Sequence, residues 1–418
     1  MSGTSPSQEF DIVIVGGAMA GATLALGLAN LNHSLSKPLS IAVIEAHQAD
    51  DSHPGFDARS IAIAHGSIFA LTQLGIWPAL KHLGTPINDI HVSDRGHFGM
   101  TELNAKPLGL DALGQVVELA KVGSVLFEEL QQANIKLFCP AKLNQLLPKT
   151  DAHYLTLDDG TTISAKLLVA ADGANSVVRQ QLNQTAEQID FGQSAIVANV
   201  ETAKPHHNWA YERFTETGPL ALLPMSHVNG QASEASARMS LVWALAPEQA
   251  AHLAQVSDAE FLQQLQNAFG YRVGQFTQVG KRVTYPLTLT TMPRPIYHRC
   301  VFVGNAAQTL HPIAGQGFNL GLRDVVGLIE VIKAALQSGL SSVAEQSTFD
   351  VGSSAIVHQY LAARQQDRDS TISNIEFLVR GFSNQYWPLV AGRSVGLRLL
   401  SWLPPLKRPV AEIAMGWR

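Results

Sequence analysis

An α/β architecture, α+β over the whole chain, follows from three features of the sequence. Short apolar, β-branched runs each stop at a glycine-bearing turn, and the first of them leads into an Ala/Leu-rich segment of helical composition. From about 195 to 286 the pattern changes to strand-like pieces separated by polar loops, which reads as an inserted antiparallel sheet. Strands that end at glycine turns are expected where a parallel sheet presents its carboxyl ends to a ligand.

In chain order, Asp11 to Val15 is the first strand, Gly16-Gly17 its turn and Met19 to Leu31 a helix. Ser40 to Ile44 is a second strand ending at Glu45, Ala165 to Ala170 ends at Asp172-Gly173, and Cys300 to Val303 ends at Gly304-Asn305. Strand pieces Ala195 to Val200, Leu220 to Pro224, Met239 to Ala244 and Gly280 to Tyr285 make the inserted sheet, with one helical interval from Asp258 to Phe269. Ser341 to Ser354, rich in Ser, Gln and Ala, reads as a linker before a helical segment from Ala355 to about Arg380. The expected organisation is a discontinuous Rossmann-like domain (8–190 and 286–340), a β-sheet domain (191–285, with part of 84–104) and a helical C-terminal region (355–418).

Composition narrows the function. With 418 residues, 46% hydrophobic, the chain can bury sizeable cores. Its 29 basic and 34 acidic side chains create no field for a polyanion, so nucleic acid is not an expected partner. Cys139 and Cys300 are isolated, without Cys-x-x-Cys or Cys/His spacing, so neither a disulfide framework nor a metal site is expected and a cytoplasmic setting is the plain reading. The N-terminus lacks the basic region and cleavage site of a signal peptide. Apolar stretches fall short of the roughly 18 residues that suggest a span, so membrane contact is expected to be peripheral.

The first turn reads Gly16-Gly17-Ala18-Met19-Ala20-Gly21. A dinucleotide fingerprint asks for glycine at its first, third and sixth places, so that backbone approaches a diphosphate at the helix N-terminus. Ala18 departs from it, and its methyl is expected to push the diphosphate outward slightly. Glu45 follows Gly21 by 24 residues, near the spacing of a ribose-binding acid.

Two further segments make the nucleotide fold a particular one: Ala171-Asp172-Gly173-Ala174-Asn175-Ser176-Val177-Val178-Arg179, and Gly304-Asn305-Ala306-Ala307-Gln308 continuing to His311-Pro312-Ile313-Ala314-Gly315-Gln316-Gly317-Phe318-Asn319. With Arg59 in Phe56-Asp57-Ala58-Arg59-Ser60, the chain resembles over nearly its whole length the single-component flavoprotein aromatic hydroxylases, the family of para-hydroxybenzoate hydroxylase. Within it the likeness is to the ubiquinone-synthesis branch that hydroxylates 2-polyprenyl-6-methoxyphenol, on His-Pro-Gly-Phe-Asp at 53–57, Gly-Gln-Val-Val-Glu-Leu at 114–119 and Gly-Pro-Leu-Ala at 218–221.

The resemblance implies bound FAD, reduction by NADPH or NADH, and O2 captured as a flavin hydroperoxide that oxidises a polyprenyl phenol. It implies that Arg59 lies along FAD, that Asp172 and Gly173 support FAD and nicotinamide, and that Pro312 packs on the isoalloxazine. Gly304 with Asn305 stands where the family has Gly-Asp, and Gln308 where a His follows. An Asn amide adds no negative charge and can donate as well as accept. Gly315, Gln316, Gly317, Phe318 and Asn319 open a helix whose N–H groups can face the flavin pyrimidine edge. His311 reads either as a packing residue or as an acid/base group. Substrate is expected between flavin and inserted sheet, with Phe214, Pro219, Leu220, Leu222 and Met225 as candidate lining that could equally be sheet core.

Other constellations carry less. His206-His207 lacks a metal-site context, and Gly66-Ser67 lacks a Gly-x-Ser-x-Gly elbow. Tyr360, Arg364, Asp367 and Arg368 have helical spacing and read as a salt-linked face. The tail from Trp402 to Trp417, with Lys407 and Arg408, either lies at a lipid interface or docks on protein, and Pro404-Pro405 breaks its helix. A hydroxylase for another ring position of the same pathway, a same-fold prenyl-chain reductase and a flavin-poor scaffold in a biosynthetic complex are the rival readings, the last motivated by Ala18, Asn305 and Gln308.

Overall fold

The computed structural model describes residues 8–48, 59–226, 236–339, 349–382, 387–403, 408–412 and 415–416. The 53–57 segment, residues 341–348 of the expected linker, and Pro404, Pro405, Lys407, Ile413 and Trp417 lie outside the described residues.

Among the described residues the strands form three sheets. The first contains β1 (Gln8–Val15), β2 (Ile41–Ile44), β8 (Lys136–Phe138), β9 (Leu143–Pro148), β10 (His153–Leu157), β11 (Thr162–Ala170), β18 (Ile296–Tyr297) and β19 (Cys300–Phe302). Its order is β18-β19-β11-β1-β2-β8, with β19, β11, β1, β2 and β8 parallel and β9-β10 added antiparallel on β11. The carboxyl ends of β1, β2, β11 and β19 therefore gather at one edge, and with them the four turns singled out in the sequence.

Helix α1 (Met19–Asn32) is buried almost all round, from Met19 through Ala29 with Ala20 only partly covered. A helix apolar on every side must be enclosed. It is: α1 packs on the first sheet and against α4 (Leu119–Gln132) and α8 (Gln316–Gly339), in a core with Ile12, Ile14, Leu126, Val325 and Ile329. Short helices α2 (His65–Gln73) and α3 (Trp77–Leu80) close that core with Leu71, Trp77 and Leu80, while α5 (Val177–Gln181) follows β11 on the other face.

The second sheet holds β5 (Asp89–Asp94), β6 (Met100–Asn104), β12 (Glu187–Thr202), β13 (Trp209–Phe214), β14 (Pro219–Met225), β15 (Ala237–Leu245), β16 (Phe276–Val279), β17 (Val283–Thr291) and β20 (Gln308–Thr309). Its order is β20-β17-β12-β15-β14-β13-β5-β6, with β16 on β12, and every pair is antiparallel except β13 with β5. It reaches beyond 191–285, since β12 starts at Glu187, β17 ends at Thr291, and β5, β6 and β20 join from elsewhere in the chain. The strand expected at Gly280–Tyr285 starts later: Gly280 N–H donates to the Asn199 carbonyl at 2.8 Å in the break after β16, which ends at Val279, and β17 begins at Val283 and runs on to Thr291. Helices α6 (Pro247–Gln255) and α7 (Asp258–Phe269) cover one face, burying Phe261, Leu265 and Phe269 against Leu220, Leu222, Leu241 and Trp243. Each such side chain contributes roughly 1.5–3 kcal/mol by leaving water.

A small antiparallel sheet, β3 (Ser60–Ala64), β7 (Gly114–Glu118) and β4 (Thr85–Ile87), bridges the two. Helices α9 (Ser354–Phe382) and α10 (Trp387–Trp402) finish the chain. Tyr360, Arg364 and Arg368 are buried rather than a solvated face, because α9 lies along α8. α10 docks on the β5–β6 edge through a buried ion pair, Arg393 Nε to Asp94 Oδ2 at 2.7 Å. Among the described residues no helix is long and apolar enough to cross a membrane. Removing one partner of a buried pair strands the other. Arg393→Ala is expected to cost about 3–5 kcal/mol in urea unfolding, part of which Asp94→Ala in the same chain restores.

Candidate active site

At the end of β1 the chain turns so tightly that side chains have no room. Gly16 has φ +99°, and a Cβ there would stand 2.4 Å from the Ala171 carbonyl oxygen; one on Gly21 would stand 1.8 Å from that of Gly16. The close approach also fixes neighbours: Gly16 N–H donates to the Ile44 carbonyl at 2.8 Å and Ala171 N–H to that of Val15 at 2.8 Å. Ala18 is extended at the N-cap of α1, and no side chain caps the helix there. Its partly buried methyl packs on the core beneath α1. Glu45, at the end of β2, is buried and accepts from Gly17 N–H at 2.6 Å and His47 N–H at 2.9 Å. Its carboxylate thus fastens the turn.

The Asp172 and Gly304 turns are tied together by Arg179, whose guanidinium donates to the carbonyls of Ala306 at 2.8 Å and Ala174 at 2.5 Å. Ser176 Oγ accepts from Arg179 N–H at 3.0 Å, and Asp172 Oδ2 from Val178 N–H at 3.1 Å, so both cap α5. Burial pushes the Asp172 carboxyl up, and its Oδ1 has no partner among the described residues. Asn305 is exposed, whereas Gln308 is buried. Gln308 donates to Asp324 Oδ2 and accepts from Arg368 Nε at 3.0 Å. Asp324, wholly buried on α8, also accepts from Gly304 N–H at 3.3 Å and Arg364 Nε at 3.2 Å. The side chains of α9 therefore hold the Gly304 turn.

Between β20 and α8 the loop carries His311, Pro312 and Gly315. His311 is fully buried, its ring edge-on to Phe191 at 5.6 Å between centroids. Its Nδ1 accepts from Ile313 N–H at 3.2 Å, which assigns the proton to Nε2, and Nε2 has no partner among the described residues. Burial lowers its pKa to about 4, so the ring is neutral near pH 7. Pro312 is exposed. Asn319 is inward: its Oδ1 accepts from Ala64 N–H at 2.9 Å and its Nδ2 donates to the carbonyls of Ala62 at 3.0 Å and Gly315 at 2.8 Å. It clamps β3 to the start of α8. Gln316, Gly317 and Phe318 are partly exposed in the first turn of α8, and a Cβ on Gly317 would meet nothing within 4 Å. Arg59, just ahead of β3, stands over the Tyr285 ring of β17 at 5.2 Å.

The substrate candidates divide by strand alternation. Leu220 and Leu222 are fully buried under α7, away from this loop. Phe214 clusters instead with Leu310, Ile313 and Leu320, and Met225 with Ile87, Val116, Ala210 and Ala62. Pro219 pairs with Phe214 and shares that inner face. Sequence reading missed Asp324, whose signal was a charged pair, Arg323-Asp324, inside an apolar helical run, and Glu212, a lone acid at an inward position of β13.

An uncapped helix end behind a glycine turn suits a diphosphate, and an apolar space facing a second sheet suits a ring, so fold and site together define a dinucleotide-binding oxidoreductase. The match to the FAD binding domain family runs over residues 9–349, and the chain belongs to that family, an FAD-dependent monooxygenase of the aromatic hydroxylase kind. It is 34% identical to a protein of Rhodospirillum rubrum named ubiquinone hydroxylase UbiL, over 99% of this chain and 91% of that one. It is 30% identical to the 3-demethoxyubiquinol 3-hydroxylase of Escherichia coli, over 98% and 99%. Among solved structures, p-nitrophenol 4-monooxygenase from Pseudomonas putida shares the fold, with TM-score 0.73 at 17% identity over 98% of this chain and 99% of that one. The residues present fit FAD: the uncapped N-terminus of α1, the open space at Gly317, and buried polar atoms Asp172 Oδ1 and His311 Nε2 that lack partners.

His91, His153 and His311 are each held neutral by burial, with pKa lowered to about 4 from 6.5. A depressed folded-state pKa means the unfolded chain binds more protons in that window, so stability is full above 6.5 and lost as pH falls toward 4. Each contributes a slope of up to about 1.4 kcal/mol per pH unit. His311→Asn is expected to flatten the fall in apoprotein stability between pH 6.5 and 4 by one such increment, read by urea titration.

Proposed function

We propose that this monooxygenase hydroxylates the phenolic ring of a polyprenylated precursor, 2-polyprenyl-6-methoxyphenol, in ubiquinone biosynthesis, with NADPH or NADH as reductant and O2 as co-substrate. The observation that carries the reading is end-to-end likeness to proteins named as ubiquinone hydroxylases, at 30–34% identity over 98–99% of the chain. Since the Escherichia coli relative is named for another ring step, the ring position rests on the likeness at 53–57, 114–119 and 218–221.

Bound FAD, once reduced, supplies the activation of O2; the chain supplies grip, position and a dry space. Gly16, Gly17, Ala18 and Gly21 let the diphosphate reach the α1 N-terminus. Glu45, which holds the first turn, would stand beside the adenosine ribose, Arg59 would run along the cofactor, Asp172 and Gly173 would support it with the nicotinamide, and Gly304 and Asn305 would take the ribityl chain. Gly315, Gln316, Gly317 and Phe318 present the α8 N-terminus to the pyrimidine edge, with Asn319 holding that loop in place. Pro312, exposed on the loop before α8, would pack on the flavin. His311, neutral, donates from Nε2 into the site rather than acting as a base at neutral pH. Phe214, Pro219 and Met225 line the ring site, and Leu220 and Leu222 support it from behind. The domains are proposed as 8–190 with 286–340 for FAD and 191–285 with part of 84–104 for substrate, the strands β12 and β17 of the second sheet running across both boundaries. Peripheral membrane contact, in a ubiquinone-biosynthesis complex, gives access to a prenylated substrate.

Deleting the gene is expected to accumulate a polyprenyl-methoxyphenol, seen by mass spectrometry; another intermediate reassigns the ring position. Gly315 has φ +61°, so replacing it strains the backbone, whereas Gly317 has room for a Cβ. Gly317→Leu is therefore expected to fold with a near-normal melting temperature, bind FAD at least tenfold more weakly, and fail to rescue. Substrate-coupled oxygen uptake by the wild type separates hydroxylation from prenyl reduction, and a purified protein that takes up no FAD sinks the enzyme reading in favour of a scaffold.

A further inference from the structure

The inner face of the second sheet carries one acid that neither the fold nor the family match uses. Along β13, Ala210, Glu212 and Phe214 alternate onto the same face. Ala210 belongs to the cluster with Ala62, Val116 and Met225, and Phe214 to the one with Leu310, Ile313 and Leu320. Glu212 lies between them. It is flanked in register by Val92 on β5 and Ala221 on β14, neither of which can pair with it. Opposite stand the Ala62 and Gly315 backbones, close enough that a Cβ on Gly315 would be 3.6 Å from that of Ala62. The Glu212 side chain is partly accessible, on a strand face whose neighbours Ala210 and Phe214 pack on Ala62 of β3 and on Ile313 of the loop carrying Pro312 and Gly315.

Resting on the hydroxylase reading above, we propose that Glu212 is a catalytic residue that accepts the hydrogen bond of the substrate's ring hydroxyl and takes its proton as the ring is oxygenated. When a ring carbon gains oxygen, the O–H bond of the phenol breaks, its electron pair forms the C=O bond of the dienone, and the proton goes to a carboxylate oxygen of Glu212. The oxygen atom gained by the ring comes from O2, whose O–O bond breaks; the other atom leaves as water, the two electrons needed being those of the proposed nicotinamide reductant, so the carboxylate changes only its protonation state. The same carboxylate orients the ring, because it is the acceptor in an otherwise apolar surround.

Burial in that surround pushes the Glu212 carboxyl up to about 7, near the working pH of a general base. The other charged or titratable groups on this face are Asp94 on β5, paired with Arg393; Arg238 on β15, paired with Glu118 of β7; Arg59, over the Tyr285 ring of β17; and His311 on the opposite loop, uncharged near pH 7. From β3 and α9 come Ser60, Ala62, Ile375 and Val379, none of them charged.

The test uses FAD-loaded enzyme and 2-methoxy-6-prenylphenol across pH 5.5 to 9, an assay window of about 3.5 units chosen around the base's optimum. Wild type should show product formation rising about tenfold per unit below pH 7 and then levelling. Glu212→Gln should lose on the order of 10²–10⁴ in kcat and the rising limb, with FAD content and melting temperature kept, while Glu212→Asp recovers part of the rate with a displaced limb. A Glu212→Gln enzyme within about threefold of wild type, with the same pH profile, overturns the proposal. If wild type makes no hydroxylated product, the hydroxylase reading has failed. The pH dependence of the flavin absorbance change on adding the same phenol then decides for Glu212: its loss in Glu212→Gln supports the contact, and superimposable curves overturn it.

Discussion

The Asp324 carboxylate is the constraint on which the rest of the site depends. It is wholly buried, and a buried carboxylate is costly unless it is paired and hydrogen-bonded. Its donors come from three parts of the chain: Gly304 N–H at the end of the parallel sheet, Gln308 in the loop beyond, and Arg364 on α9. One side chain thus joins the last strand of the first sheet, the helix that follows it and the C-terminal region. Arg364 is shared further with Asp367, and Asp367 with Arg323, so the cluster is a chain of ion pairs rather than a single pair. Gln308 serves here as a neutral relay between Arg368 and Asp324, a role set by what surrounds it.

From that anchor the cofactor edge is assembled by short clamps. Arg179 joins the second and third motif turns, Glu45 fastens the first, and Asn319 sews β3 to the α8 N-terminus. These residues act mostly through backbone groups, leaving N–H groups and open glycine positions to face a ligand. Preorganised donors of this kind stabilise developing charge without having to reorganise. The second sheet supplies the other wall, its outer face sealed by α7 and its inner face turned to the loop of His311 and Pro312.

Much of this was legible in the chain. The parallel-sheet turns could be read because Gly16 needs a positive φ and a Cβ on Gly21 would strike the Gly16 carbonyl, both demands made within a few residues. The helix at Asp258–Phe269 could be read because Ser257 caps it and its apolar period is strong. Less legible were the strands β5 and β6, which join the second sheet from far upstream, and the buried side of α9, where Arg364 and Arg368 have the spacing of an exposed ion-paired face. Helical spacing specifies which residues share a face, and not whether that face meets water or another helix.

The sequence by itself determined the order of motifs, the glycine turns and the apolar runs, because those depend on backbone geometry and on neighbours a few residues away. Only the tertiary structure decided which side of β14 faces the site and which lies beneath α7, that Asn319 is a clamp and Asn305 is exposed, and that Glu212 shares a strand face with Ala210 and Phe214 packed toward the His311 loop. Alternation along a strand sorts residues into two sets; which set faces a cavity depends on what packs against each side, and that is contributed by helices and loops distant in the chain.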